Sequence, residues 1–416
     1  MNNSKQKRNI SITLLIIIIS IAGFFTIKDK TLYVDETVHH KVIDNFCNLN
    51  LSIHPNLTNI PAYHAILGGI CNLVSNIYPI NSIHFTRQTS LILSLAGLYI
   101  LFLIAKKLKH KTPIITTLQL LLLPIAFPFY FLVYTDIPSI APIALAILLA
   151  LNKQYGWSGI LITLSIAFRQ NNIIWLGWLA ILILLENLPS QYNLKNILKY
   201  TMRYLSKIWT YILGTLTFGL FIKLNSGISL AKAEEWAHPS FSIHLGNIYL
   251  MLILFTLIFL PLVITKFSKT NKLYKNKKLL ASFLLTFIFI AYTFLFKFEN
   301  THPYNQHEFA IHNKILVVAT SSLKLRLITL IPIFLALLTI FSTKLRKPLY
   351  YSIYLFSILF VIPSWLIEPR YYIIPYYLYI LFKKENSHKT NIALITWQLI
   401  LSGVLLTGML QKLFLP

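Results

Sequence analysis

The sequence predicts an all-α integral membrane protein, a polytopic helical bundle, and three observations predict it. Of 416 residues, 56% are hydrophobic and 14% aromatic while only 12% are charged, far from the profile of a soluble globular domain. Apolar runs of about 18 or more residues recur from end to end, each long enough to cross a hydrocarbon core of roughly 30 Å as a helix. The Lys and Arg residues sit in short loops between those runs, so the net charge of +25 reads as membrane orientation rather than nucleic-acid binding. Short alternating segments of the kind that build a membrane barrel are absent.

The first span, residues 9 to 27, follows the basic Lys5-Gln6-Lys7-Arg8. No small-residue cleavage site comes after it, so it is expected to be retained. With the N-terminus cytoplasmic, a first outer loop with interfacial helices covers about 28 to 82. Its apolar stretch 61 to 80, interrupted by Gly68-Gly69, is placed at the interface because the next span, about 83 to 105, must end inside at Lys106-Lys107-Leu108-Lys109-His110-Lys111. Spans near 113 to 132 and 137 to 151 flank an outer turn at Tyr134-Thr135-Asp136, and two short spans flank Arg169-Gln170-Asn171-Asn172. Short, broken spans suit a polar cavity. Spans near 208 to 224, 244 to 265, 279 to 297, 324 to 343, 349 to 366, 370 to 382 and 391 to 413 complete the alternation, with basic loops at 195 to 207, 266 to 278, 344 to 347 and 383 to 389 inside. About thirteen transmembrane helices in a single membrane domain, residues 1–416, is the expectation. Cys47 and Cys71 offer neither a metal-ligand spacing nor a disulfide framework and read as packing residues.

This topology puts Asp29, Asp35, Glu36, Asp44, Asp136, Glu234, Glu235, Glu299, Glu308 and Glu368 on the outer side, leaving only Glu186 and Glu385 of the twelve carboxylates near the inner one. Acids contribute little to orientation, so outward-facing chemistry is the simplest cause.

The polar candidates lie within that frame. Tyr33-Val34-Asp35-Glu36, followed by His39 and His40, sets two carboxylates and an imidazole at helical spacing, where a base could take the proton of an attacking hydroxyl; helix-capping acids in a solvated loop are the structural alternative. Asp136, a single acid between apolar spans, would cost roughly 2.5 to 3.5 kcal/mol at a bilayer centre, so it lies at the surface, serves a cavity, or caps the following span with Pro138 in its first turn. Arg169-Gln170-Asn171-Asn172 offers a guanidinium fork for a lipid phosphate, or a turn with a snorkelling arginine. The outer stretches Lys232 to His238 with His244, and Glu299 with His302 through His307, Glu308, His312, Asn313 and Lys314, mix His and Glu without a zinc-type spacing and suit carbohydrate equally well. Glu368-Pro369-Arg370 puts an acid and a base at a span boundary, where they can simply pair. There is no P-loop, no dinucleotide fingerprint and no serine-hydrolase elbow.

Taken together, these segments resemble the α-1,2-glucosyltransferases that use dolichyl-phosphate glucose, a branch of the multi-spanning GT-C class. The resemblance runs from Tyr33 to about Pro375. It rests on Tyr33-Val34-Asp35-Glu36 with His39, Tyr134-Thr135-Asp136, Arg169-Gln170-Asn171-Asn172-Ile173-Ile174-Trp175, His244-Leu245 with Tyr249, His302-Pro303-Tyr304, and Glu368-Pro369-Arg370-Tyr371-Tyr372, in the family's order. It implies an inverting transfer of glucose from a polyprenyl-phosphate donor to a lipid-linked glycan acceptor. Asp35 or Glu36 would be the base and Asp136 would organise the acceptor. His39, Gln170, Asn172, His244, His302 and Glu368 would bind substrate, and Arg169, Lys314 or Arg370 would stabilise the leaving phosphate. No cofactor and no metal are implied. The expected address is the endoplasmic reticulum membrane with a luminal site or, in a bacterium, the inner membrane with an outward-facing site. Departures from the family pattern include Ile60-Pro61-Ala62-Tyr63 in place of a Pro-Pro, Asn171 in place of a Thr, Asn247 in place of a Gln, and a stretch after Tyr304 without Asp-Asn-Arg-His. The rivals are a flippase or transporter of lipid-linked sugar, and a transferase of the same architecture for mannose or aminoarabinose. A transporter should spread charge through the membrane depth and show repeat symmetry.

Overall fold

A computed structural model describes residues 3–75, 77, 82–187, 194–231, 242–268, 273, 275–306 and 314–413. The stretch 232–241 with Glu234, Glu235 and His238, and the stretch 307–313 with His307, Glu308, His312 and Asn313, lie outside the described residues.

The described chain is helical, with one isolated antiparallel bridge between Leu345 and Lys383 and no named strand. In order the helices are α1 Asn3–Ile27, α2 Glu36–Cys47, α3 Ala62–Ser75, α4 Ser82–Lys107, α5 Pro113–Leu121, α6 Ile140–Leu151, α7 Tyr155–Ile166, α8 Ile173–Glu186, α9 Leu194–Asn225, α10 Gly246–Ile258, α11 Leu260–Phe267, α12 Lys277–Phe296, α13 Pro303–Gln306, α14 Lys314–Thr320, α15 Leu323–Ser342, α16 Ser352–Val361, α17 Ile373–Phe382 and α18 His388–Leu410. The protein is thus a multi-pass membrane protein. Among the described residues six helices are long and apolar enough to cross alone, or seven if the bent pair α10 and α11 counts as one span, so the expected thirteen is not reached.

The difference has local causes. The expected span at 113 to 132 is helical only to Leu121, yet every residue from Ile115 to Ala144 is buried. Non-helical backbone is tolerated at membrane depth when protein covers it, and side chains supply partners here: Ser402 donates to the Leu122 carbonyl at 3.0 Å and Ser90 to the Leu132 carbonyl at 3.1 Å. The basic stretch 195 to 207, expected as a loop, is part of the 32-residue α9. The α10–α11 break of 83° falls before Pro261, which has no N–H for the Leu257 carbonyl. The Trp397 indole donates to that carbonyl at 2.6 Å instead.

Two compact units emerge. The first comprises 1–117, 129–236 and 349–356, the second 118–128, 237–348 and 357–416. In the first, α7 and α9 meet through small residues: a Cβ on Gly159 would lie 2.0 Å from the Thr210 hydroxyl, and one on Gly214 at the same distance from Thr163.

The α2–α3 hairpin corrects the reading of the cysteines. Gly68 lets α3 lie against Phe46 of α2, and the approach brings the Cys47 and Cys71 Cα atoms to 5.2 Å, where they form a disulfide. Their 24-residue separation matches no small-domain framework because tertiary packing, not spacing, pairs them. Converting both to serine should cost about 3 kcal/mol, the usual worth of a cross-link closing a loop of this length. Thermal melting in detergent, with and without reductant, measures it.

Candidate active site

The first unit gathers four polar segments. Asp35 and Glu36 open α2, and the residue before them, Val34, sits at φ 41°, a conformation that costs a β-branched side chain energy and is kept where surroundings impose it. The surroundings here are one ion pair. Glu36 is fully buried, and its carboxylate accepts four N–H donors: Arg87 Nε at 2.9 Å and Nη2 at 2.6 Å, and the Tyr33 and Val133 amides, each at 3.0 Å. The guanidinium of Arg87, 1% exposed, also donates to the carbonyls of Ile27, Lys28, Lys30 and Thr31 at 2.8–3.3 Å. One side chain from α4 thereby fixes the end of α1, the start of α2 and residue 133. Asp35, the adjoining carboxylate, is half-buried.

The second segment is joined to the first. The Tyr134 hydroxyl donates to the Tyr33 carbonyl at 3.0 Å, and Tyr134 meets the His39 ring edge-on at 5.6 Å. Two residues on, Asp136 is 5% exposed and pairs with Arg169. It does not cap α6, whose N-cap is Ser139. Gln170 spends its amide on the Thr58 and Ile228 carbonyls, at 2.8 and 3.3 Å, and Asn172 donates to the Ser165 carbonyl at 2.9 Å. Those amides shape the turn that presents Arg169. Beneath lies an apolar cluster of Ile43, Tyr63, Leu67, Val133 and Phe168.

His39 has a partner that the sequence did not suggest. Its Nδ1 is 2.8 Å from His64 Nε2 of α3, the rings stacked at 5.1 Å, so one imidazole N–H donates to the other's lone pair. Burial, with His39 beside it, holds His64 well below the ordinary imidazole value of 6.5. The sign follows: the folded state refuses a proton that the unfolded chain accepts, so stability is complete above about 6.5 and declines as pH falls below it. Melting temperature in detergent should drop between pH 7.5 and pH 5.5, and His64→Gln should flatten that difference.

The second unit holds the remaining candidates. Glu368 and Arg370 pair at 2.7 Å with both side chains largely buried. Asn247, buried at the start of α10, organises their segment: it donates to the Ser364 and Leu366 carbonyls at 2.9 and 3.0 Å and accepts from the Glu368 amide at 3.2 Å and the Tyr372 hydroxyl at 2.8 Å. Asn305 exchanges both amide groups with the Ile367 backbone at 3.1 Å. Trp365 lies between imidazoles, with His302 at 4.8 Å edge-on and His244 stacked at 6.0 Å. Burial shifts His244 below its ordinary value. Lys314 is exposed and reaches the Leu413 carbonyl at 3.5 Å, just past the end of α18. Among the described residues no three His, Cys, Asp or Glu side chains come together as a ligand set.

Arg87 and His64 are the organising residues that sequence reasoning passed over, while Asn247 entered it only as a departure from the family pattern. Both of the former carried a usable signal, an ionisable side chain within an apolar stretch.

A buried ion pair that holds a half-exposed carboxylate beside a second acid–arginine pair, in a chain of apolar helices, defines a membrane-embedded protein with a polar reaction or transport site. The sequence identifies which kind: residues 29–381 match the DIE2/ALG10 family, and the chain belongs to it. Its relatives include proteins named Dol-P-Glc:Glc(2)Man(9)GlcNAc(2)-PP-Dol alpha-1,2-glucosyltransferase. That of Debaryomyces hansenii is 26% identical over 86% of this chain and 84% of its own, and that of Candida albicans 26% identical over 88% and 86%. The protein of the same name from Homo sapiens is 24% identical over 83% of each chain. No solved structure matches this chain.

Proposed function

We propose that this chain is a hexosyltransferase that moves glucose from dolichyl phosphate glucose to a lipid-linked oligosaccharide, forming an α-1,2 bond with inversion, in the pathway that prepares glycans for protein N-glycosylation. Family membership supports the reaction class. The observation that supports the mechanism best is the Glu36–Arg87 clamp, because it favours one of two adjacent carboxylates as the base. Glu36 is enclosed and saturated with donors, which makes it a structural anion. Asp35, held in place by it at the N-terminus of α2, is the base.

The acceptor hydroxyl gives its proton to the Asp35 carboxylate as its oxygen attacks C1 of the donor glucose from the face opposite the phosphate. The C1–O bond breaks with its electron pair remaining on the phosphate, which departs as polyprenyl phosphate without needing a proton. Arg169, oriented by Asp136 and by the Gln170–Asn172 turn, is the cation assigned to the charge that develops on the phosphate. Within the second unit, the Trp365 face between His302 and His244 is by itself a candidate carbohydrate-binding surface.

A luminal site in the endoplasmic reticulum is part of this proposal, and two features support it. A disulfide within α2–α3 suits an oxidising compartment, and Asn50-Leu51-Ser52 and Asn56-Leu57-Thr58, between the two helices, are sequons with both asparagines exposed. The test is transfer of radiolabelled glucose from synthetic polyprenyl-phosphate glucose to a lipid-linked acceptor in proteoliposomes. Product from the native chain supports the reading. Movement of the lipid across the bilayer without any transfer would replace it with a transporter.

A further inference from the structure

At the far end of α17 the second unit holds a cluster of charge that the chemistry above does not use. Glu368 and Arg370 precede this helix and Lys383 follows it, about 20 Å further along at helical rise. The main chain around Lys383 is pinned: the Arg346 amide donates to the Phe382 carbonyl at 2.9 Å and the Lys384 amide to the Lys344 carbonyl at 2.8 Å, on either side of the Leu345–Lys383 bridge. Arg346 in turn pairs with Glu385 at 3.4 Å. Lys266, in the last turn of α11, enters from a third segment, since the hydroxyl of Thr265 beside it meets that of Thr390 on α18 at 3.5 Å.

Two features of the cluster point to a ligand. Lys383 is 4% exposed, whereas Lys344, Lys347, Lys384 and Lys389 around it are all exposed, as lysines at a membrane boundary ordinarily are. Burying an ammonium is costly unless a partner compensates, and among the described residues its Nζ has neither an ion pair nor a hydrogen bond. The second feature is an imbalance of charge. Burial pushes Lys383 down to about 7, Lys266 and Arg346 push the same way, and Glu385 alone opposes them. Three cations thus share one carboxylate, and the two negative charges that are missing are those of a phosphomonoester near neutral pH. Arg346 and Glu385, 17% and 19% exposed, leave the cluster open to its surroundings.

We propose that Lys383, Arg346 and Lys266 form a binding site for a phosphomonoester group, at the end of α17 opposite the Glu368–Arg370 pair. A guanidinium and two ammoniums suit its oxygens, and a dianion gains about twice the attraction of the singly charged phosphodiester in an ordinary phospholipid. Two sources share this chemistry, the headgroup of a lipid such as phosphatidic acid and phosphate dissolved in water. Lys383 must be charged to take part, so above pH 7 binding draws in a proton and weakens as pH rises.

The experiment titrates the full chain in detergent with phosphatidic acid, phosphatidylcholine or inorganic phosphate and reads the melting temperature at pH 6.5 and pH 8.5. Phosphatidic acid or inorganic phosphate should raise it saturably and phosphatidylcholine should not; whichever of the first two acts names the source. At pH 6.5 the apparent Kd for that probe should rise at least tenfold in Lys383→Met and at least threefold in Lys266→Gln, but less than twofold in Lys384→Gln, the exposed neighbour. Lys383→Met removes an uncompensated buried charge, so without probe its melting temperature should not fall. Should that variant not fold, Lys266→Gln carries the comparison. The ratio of Kd in Lys383→Met to Kd in the native chain should shrink from pH 6.5 to pH 8.5, and taking the ratio removes the probe's own ionisation. Stabilisation by neither phosphate probe, equal stabilisation by phosphatidylcholine, or an unchanged Kd in Lys383→Met and Lys266→Gln would overturn the assignment. So would an equal loss in Lys384→Gln, which would reduce the cluster to diffuse surface charge. The readout needs no glucose transfer, so it stands or falls apart from the reaction proposed above.

Discussion

Asp35→Asn should leave a folded protein that transfers glucose about a hundredfold to ten-thousandfold more slowly, the range that a positioned general base supplies. The amide keeps the size of the side chain and removes only its ability to accept a proton. KM for donor and acceptor should therefore change little beside kcat. The informative control is Asp136→Asn, which loosens Arg169 and should raise KM for the donor as well as lower kcat. Steady-state transfer assays across donor concentrations separate the two patterns. Undiminished turnover in Asp35→Asn would move the base to another residue, and a matching loss of melting temperature would make Asp35 structural.

Arg87→Ala should produce the largest loss of stability. It strands the fully buried Glu36 carboxylate without a counter-charge and frees the carbonyls of Ile27, Lys28, Lys30 and Thr31. Breaking a buried pair by removing one partner costs about 3–5 kcal/mol. Glu36→Gln should cost less, because the amide oxygen still accepts from one of the two backbone amides, Tyr33 or Val133, and the guanidinium keeps the carbonyls of Ile27, Lys28, Lys30 and Thr31. The double variant Glu36→Gln with Arg87→Ala should recover part of the single Arg87 loss, since no unpaired charge remains buried. Melting temperatures of the four proteins in one detergent form the cycle, and additivity of the two changes would refute the coupling.

The helical membrane architecture was legible because a lipid solvent leaves few choices, and long apolar runs bounded by lysine declare themselves. The segments that carry Asp35, Asp136 and Arg169 were legible for the complementary reason: polar side chains stand out against an apolar chain. The difference in burial between Asp35 and Glu36 was hidden, since adjacent carboxylates differ only in where the fold points them, and Arg87 lies 51 positions away. The disulfide was hidden likewise, as it depends on Gly68 admitting Phe46. The irregular stretch after Leu121 was misjudged as a span because a fully buried segment has no periodicity to separate helix from coil.

The ion pair beneath the site also bears on how the chain is made. An arginine costs about 2.5–3.5 kcal/mol at the centre of an inserting helix, and less toward its end, where Arg87 lies in α4. Its carboxylate and the carbonyls that it binds all precede it in the chain, so when α4 leaves the ribosome every acceptor it needs has already been synthesised. The Arg87–Glu36 contact thus joins only residues already made when α4 emerges, and the Val133 amide completes the clamp later.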